Sequence, residues 1–366
     1  MKTSHSLILC AGAVAIYIAV GCNSKPTPRN LPEKAESKKE VETSRSAVVL
    51  ESSFGCLVDP LSKSNGIPWQ VALTLAEIAK VTYENDEAQI SSIKKLGAAT
   101  VHPIAVGLSH GVVASNDKAV VIGFRGTKEP ADWLTDARIV GHRSGNGKIH
   151  LGFFQVVDAI YKEVYDEAIR QGAKNKTVWI TGHSLGGAMA VVFAHRGTID
   201  NELAPEGIIT FGQPLAVSHS LAQFFLDKFN TRYIRFVNNW DAVPRLLPNY
   251  RHAGSRVYMK SGDYSFRLPV MAVSASAPGD APAGAEPPAG ETPQFFFAED
   301  EADLEPMTAE EFEAFQQQLQ PENVPLAATA VGGPVGAIRI PWIEAHSMLL
   351  YIERIKEFGE KEVNKH

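Results

Sequence analysis

A largely parallel β-sheet covered by helices is the architecture to which this chain points, and three features point to it. Short apolar runs rich in β-branched residues alternate with amphipathic stretches between Pro68 and about Phe358. A G-x-S-x-G sequence lies between one such run and the stretch that follows it. Apolar residues make up 45% of the 366 and charged residues 21%, which supplies a sizeable core. That balance excludes a wholly disordered or collagen-like chain.

The first residues read as an address. Lys2 precedes an uncharged stretch from Ser6 to Val20. At roughly 15 residues it is short of the about 20 that span a bilayer and suits a signal-peptide core. Residues 1–21 are therefore expected to be a signal peptide. Ala19-Val20-Gly21-Cys22 resembles the lipobox of bacterial lipoproteins, with Cys22 as the lipidated residue, although Leu is more usual at the position of Ala19. The other reading is an ordinary secretory peptide with an incidental cysteine. Residues 22–47 are rich in Lys, Glu, Pro and Ser and read as a flexible tether. Of three cysteines only Cys56 then stays in the domain, so no disulfide within it is expected.

The domain is expected over 48–358. Apolar residues recur with helical spacing from Pro68 to Tyr83, and Pro68 suits a first turn. Ala119 to Phe124 reads as a buried strand. From His150 to Arg170, Phe153, Val156, Val157, Ile160, Tyr161, Val164, Tyr165 and Ala168 form one helical stripe. Val178 to Ile180 and Ile208 to Phe211 read as strands around a helix from Ala188 to His195. A helix from Ser220 to Lys228 and a strand from Tyr233 to Val237 continue the alternation. Residues 268–338 then hold 10 of the 22 prolines, and between Pro269 and Ala337 there are 12 acidic residues and no Lys or Arg. Residues 268–336 read as a low-complexity acidic insertion. Within it Thr308 and Glu311 have capping-box spacing, ahead of Phe312, Phe315 and Leu319 on one helical face. The insertion is either a disordered linker with a transient helix or a flap or docking arm. A strand from Ala337 to Pro341, a last helix to about Phe358 and a charged tail at 359–366 complete the chain.

The chemistry centres on Gly182-His183-Ser184-Leu185-Gly186. A serine on a sharp strand-to-helix turn needs neighbours without side chains, because the backbone there is strained and crowded. Its hydroxyl then projects at a helix N-terminus, where the dipole favours developing negative charge.

Further motifs occur in order: Phe124-Arg125-Gly126-Thr127, Asp132-Trp133-Leu134-Thr135-Asp136, His150-Leu151-Gly152-Phe153, Thr210-Phe211-Gly212-Gln213-Pro214, and the run from Arg235 to Pro244. Together with the serine motif and Tyr250-Arg251-His252-Ala253-Gly254 they resemble the class 3, or fungal-type, lipases over roughly 66–262 and 337–358. The resemblance implies an α/β-hydrolase fold and an esterase or lipase activity. It assigns the triad to Ser184, Asp241 and His346, the chain order of α/β-hydrolases. It places the oxyanion hole at the backbone N–H groups of Leu185 and Thr127. Among the other histidines His183 points away from the nucleophile's side of the turn, His150 reads as structural support, and His252 is the fallback base. Residues 128–137 occupy the family's lid position, with Trp133 as its apolar plug; the plainer reading is a surface turn with one buried Trp. The 105-residue gap from Asp241 to His346 is longer than in compact relatives, because the insertion occupies it.

The expected activity is hydrolysis of lipid carboxylic esters, by a triacylglycerol lipase or phospholipase, through an acyl-serine intermediate at a lipid–water interface. Alternatives are a feruloyl-type or short-chain carboxylesterase and, in another class, an inactive surface binding protein on a hydrolase fold. No metal-ligand cluster, phosphate-cradling glycine loop or basic aromatic patch is present, so no metal, cofactor or nucleic-acid partner is expected. The cell envelope, with a lipid anchor at Cys22, is the expected location; secretion is the alternative.

Overall fold

The computed structural model describes residues 48–58, 66–128, 140–145, 147–199, 203–267, 306–318 and 344–365. In chain order, helices α1 (Trp69–Val81) and α2 (Asp86–Lys95) lead into strands β1 (Thr100–Val106), β2 (Ser109–Ser115) and β3 (Ala119–Phe124). A separate hairpin, β4 (Gly141–Ser144) and β5 (Gly147–His150), precedes α3 (Leu151–Arg170) and β6 (Thr177–His183). Then come α4 (Leu185–Ile199), β7 (Gly207–Phe211), α5 (His219–Phe229) and β8 (Tyr233–Asn238). Strands β9 (Ser255–Lys260) and β10 (Asp263–Arg267) and helices α6 (Ala309–Gln318) and α7 (Met348–Val363) follow.

Among the described residues eight strands form one sheet in the order β1-β2-β3-β6-β7-β8-β9-β10. The pairs from β3 through β9 are parallel, and the outer pairs are antiparallel. Alternation with period two decides which face each strand residue covers. Val120, Ile122 and Phe124 of β3 and Val178 and Ile180 of β6 join a core with α3, α4 and α5. Val121 and Trp179, between them, face the opposite core, built with α1 and α7. Helix α4 is buried almost all round, as expected of a helix pressed into a sheet by its own Gly, Ala and Val residues. Helix α2 carries a local start signal: Asn85 accepts from the Ala88 N–H at 2.9 Å, with Asp86 and Glu87 in the first turn.

The fold follows the expected alternation and adds to it. The helix read as ending near Phe358 runs to Val363, because the stripe Tyr351, Ile352, Ile355 and Phe358 continues through buried Glu362. Asn364 then ties down the entry to the domain, accepting from Val48 N–H at 2.8 Å and donating to its carbonyl at 3.1 Å. Residues 359–365 thus belong to the packed domain rather than to a tail. Cys56 is a free thiol. The signal peptide, the tether with Cys22, the lid position from 129 with Trp133, and the strand at 337–341 lie outside the described residues.

One part of the insertion is built into the fold. Thr308 Oγ1 accepts from Glu311 N–H at 3.1 Å, and a Glu311 carboxylate oxygen accepts from Thr308 N–H at 2.8 Å, so the capping box forms as read. Phe312 is 2% exposed and joins the core under α3 to α5, with Phe315 packed against it. The helix is docked through Phe312, which reaches an apolar site that the sequence pattern does not display.

Candidate active site

Four adjacent parallel strands end on the same side of the sheet, and each delivers one part of the site. After β3 comes the turn of Arg125, Gly126 and Thr127. Strand β6 leads to Ser184, β7 to Gly212 and β8 to Asp241. Phe124 pairs with Gly182, so the turn carrying Thr127 emerges beside the serine. The approach is close: a Cβ on Gly126 would lie 3.1 Å from Ser184 Cβ.

Ser184 has φ 58°, a left-handed conformation that a non-glycine residue holds only under constraint. Its N–H donates to the Phe211 carbonyl at 3.0 Å, and its carbonyl accepts from Gly187 N–H at 2.9 Å. The flanking glycines are required by contact. A Cβ on Gly182 would sit 2.2 Å from the Gly186 carbonyl oxygen, and one on Gly186 2.2 Å from that of Phe124. The turn is the strained elbow expected of G-x-S-x-G. Leu185 opens α4, where the N–H groups of a first turn have no intrahelical partner.

The last helix brings the histidine. His346 Nδ1 lies 2.9 and 3.0 Å from the two carboxylate oxygens of Asp241. A carboxylate only accepts, so Nδ1 carries the hydrogen, and in the neutral ring Nε2 is then the acceptor. That Nε2 is buried with no hydrogen-bond partner among the described residues. Asp241 is held from two further directions, by the Tyr351 hydroxyl at 2.6 Å and by Val243 N–H at 3.0 Å. Asn238 secures the approach of α7: its side-chain amide donates to the Ala345 carbonyl at 3.0 Å, and its N–H to the Tyr351 hydroxyl oxygen at 3.0 Å. Burial and the neighbouring Asp241 charge raise the Tyr351 phenol well above its usual range, so it stays a donor.

His183 is a spacer between the elbow and the histidine loop. Its Nε2 donates to the His346 backbone carbonyl at 2.7 Å, which leaves Nδ1 to accept from the Tyr83 hydroxyl at 2.9 Å. The His183 and His346 rings lie 4.4 Å apart, centroid to centroid. Ser184, Asp241 and His346 are each no more than 4% exposed. His252 is elsewhere engaged: its Nε2 donates to the Pro244 carbonyl at 2.7 Å. His150 packs against Phe153 and Tyr250, the supporting place read for it. Tyr83, Asn238 and Tyr351 were not singled out from the sequence. Only Tyr351, one turn beyond His346 and on the apolar stripe of α7, left a signal there. Among the described residues no group of His, Cys, Asp and Glu has a metal-holding arrangement. A cavity of about 350 Å³ between β1 and α3, lined by His102, Ile104, Glu163, Glu167 and Arg170, shares no residue with this cluster.

Burial holds His183 and His252 well below the ordinary histidine range, helped by His346 near the first and Arg235 near the second. The folded protein cannot take protons that the unfolded chain takes below about pH 6.5, so these groups add stability at neutral pH that is lost as pH falls. Each contributes a loss of up to about 1.4 kcal/mol per pH unit. Urea unfolding should show a stability that declines between pH 7 and pH 5. His252→Gln, which keeps a donor for Pro244, should flatten that decline; an unchanged slope would contradict it.

A buried serine elbow and an imidazole that has a carboxylate on Nδ1 and no partner for Nε2 among the described residues are the groups that can activate a hydroxyl for attack on an acyl carbon. Residues 121–251 match the model of the family described as Lipase (class 3). A phospholipase A1-II 4 of Oryza sativa subsp. japonica is 26% identical over 174 residues, 40% of this chain and 44% of that protein. A lipase of Rhizomucor miehei is 29% identical over 168 residues, 41% of this chain and 45% of that protein. Lipase II from Rhizopus niveus superposes with a TM-score of 0.48 at 23% identity, over 56% of this chain and 84% of that one. The chain spans less than half the length of the curated relatives it matches.

Proposed function

We propose, from the match of residues 121–251 to the class 3 lipase model, that this protein is a serine ester hydrolase that cleaves carboxylic esters of lipids. One observation carries the reading: His346, its Nδ1 held by Asp241 and its Nε2 without a hydrogen-bond partner among the described residues, sits against Gly212, the residue after Phe211, whose carbonyl anchors the Ser184 elbow.

In the first step Ser184 Oγ bonds to the ester carbonyl carbon while its proton passes to His346 Nε2. The carbonyl oxygen becomes an oxyanion, and the N–H groups of Leu185 and Thr127 are the donors proposed for it. Losing one such donor typically costs about 2.7–4 kcal/mol of transition-state stabilisation. The tetrahedral species collapses as His346 returns the proton to the departing alcohol, leaving acyl-Ser184. Water then attacks that acyl carbon with His346 as base, and the acid leaves as Ser184 regains its proton. Asp241 keeps the imidazole in the required tautomer and stabilises its protonated form. A soluble-ester specificity would use the same residues with a different acyl pocket.

p-Nitrophenyl esters from acetate to palmitate, with and without micelles, test the reading. Hydrolysis favouring long chains and raised by micelles is expected. Preference for acetate would move the substrate to the short-chain esters, and inertness of the folded protein towards every ester would leave the binding-protein reading.

The apolar stretch from Ser6 to Val20 and the small residues before Cys22 support export and a lipid anchor on Cys22. Labelled fatty acid should enter the wild-type chain and not Cys22→Ser; equal labelling would sink the anchor.

A further inference from the structure

The loop that carries Asp241 is strained. Trp240, immediately before it, has φ 69° and Leu247, six residues after, has φ 73°. Bulky residues hold left-handed backbone only where their surroundings over-determine it. Between them, Val243 to Arg245 forms a single 3₁₀ turn, too short to satisfy its own last carbonyls.

Two outside donors satisfy them. Pro244 O accepts from His252 Nε2 at 2.7 Å, a residue close in sequence. Arg245 O accepts from the Met307 N–H at 2.9 Å, and Met307 belongs to the insertion. Val243, Leu246 and Leu247 are fully buried in the same apolar core as Met307 and Phe312. The capping box at Thr308 and Glu311 fixes how α6 leaves Met307, and so aims Phe312 into that core. Val243, within the same turn, donates its N–H to Asp241 Oδ1. Insertion, turn and carboxylate are thus joined by consecutive contacts.

We propose that residues 307–315 are a strut supplied by the acidic insertion, which holds the 240–247 loop and through it sets the position of Asp241 against His346. The inference rests on the reading of Asp241 as the triad acid. Met307, through its backbone, and Phe312 are positioning residues in it. The insertion would then carry an intramolecular control on the efficiency of the site, placed in a segment where the sequence shows mainly Pro, Ala and acid.

Two readouts separate the strut from the proposed activity. The first does not need an ester: the low-field proton NMR resonance of the Asp241–His346 hydrogen bond, assigned by its loss in His346→Ala. It should shift or broaden in Met307→Pro, which lacks the N–H, and in Phe312→Ala. It should persist in Met307→Leu, which keeps the N–H. The second is kcat per serine titrated by a fluorophosphonate, measured well below the unfolding temperature of each variant. It should fall about tenfold to a hundredfold in the first two variants with KM little changed, the effect of a slightly misplaced catalytic group. Phe312→Leu should recover most of the loss. An unchanged resonance in folded Met307→Pro and Phe312→Ala, or an unchanged kcat per titrated serine with only a lower Tm, would overturn the strut. A wild type that shows the resonance and its sensitivity but hydrolyses no ester would overturn the function and leave the strut standing.

Discussion

His346→Ala should lower kcat by about 10⁴ to 10⁶, the range seen when a triad base is removed, while the protein stays folded. The link from His183 runs to the backbone carbonyl at position 346 and survives the substitution. Asp241 keeps the Tyr351 hydroxyl and Val243 N–H as partners, so its buried charge is not left bare. His252 cannot step in. Its Nε2 is committed to the Pro244 carbonyl, and burial beside Arg235 keeps its proton affinity low. Ester hydrolysis by the purified variant, with its circular dichroism beside the wild type, checks this. Retention of activity within about tenfold would mean that another group takes the Ser184 proton.

Gly212→Ala should cost about 100-fold in kcat, for a reason visible only in three dimensions. A Cβ at Gly212 would lie 2.8 Å from Asp241 Oδ2 and 2.8 Å from His346 Nδ1, inside the very hydrogen bond that orients the imidazole. One of the two must move, and a displacement near 1 Å is enough for that loss. Gly212 also has φ 55°, so some destabilisation, about 1–2 kcal/mol, comes from the backbone alone. Gly107→Ala separates the two effects: φ there is 59°, but nothing lies within 4 Å of the added Cβ. Gly107→Ala should lose stability to a similar extent and keep its activity. Equal activity in both variants would show that the contact at Gly212 has no bearing on the site.

The parts of the site that arise from local rules were legible in the sequence. Gly182, Ser184 and Gly186 announce the elbow because their spacing is dictated by one turn's sterics. The alternation from β3 to β8 is readable because those strands are buried on both faces and therefore apolar throughout. The outer strands are not. Strand β1, Thr100–Val106, is an edge with Pro103 in it and several exposed residues, and it gives no apolar run to read. The β9–β10 hairpin turns at Gly262, and its short strands mix apolar, polar and charged residues, so they too give no apolar run to read.

The supports of the triad were hidden for a different reason. Tyr83 reaches His183 across 100 residues, and Tyr351 reaches Asp241 across 110, so neither pairing leaves a local pattern. The same holds for Met307. Its contact with Arg245 is made by a backbone N–H, which any residue but proline supplies, and only the fold shows where it goes. The capping box of α6, by contrast, is a local device and forms as its spacing predicts, whereas the sequence leaves open whether that helix docks.

The central claim is that Ser184 is a nucleophile activated by His346. The most direct measurement is the mass of the intact protein, and of its Ser184 peptide, after reaction with a fluorophosphonate. One adduct per chain, on Ser184, is expected, forming rapidly in the wild type, at least a thousandfold more slowly in His346→Ala and never in Ser184→Ala, about the scale of losing a triad base. No adduct on the folded wild-type protein, or an adduct on another residue, would contradict it.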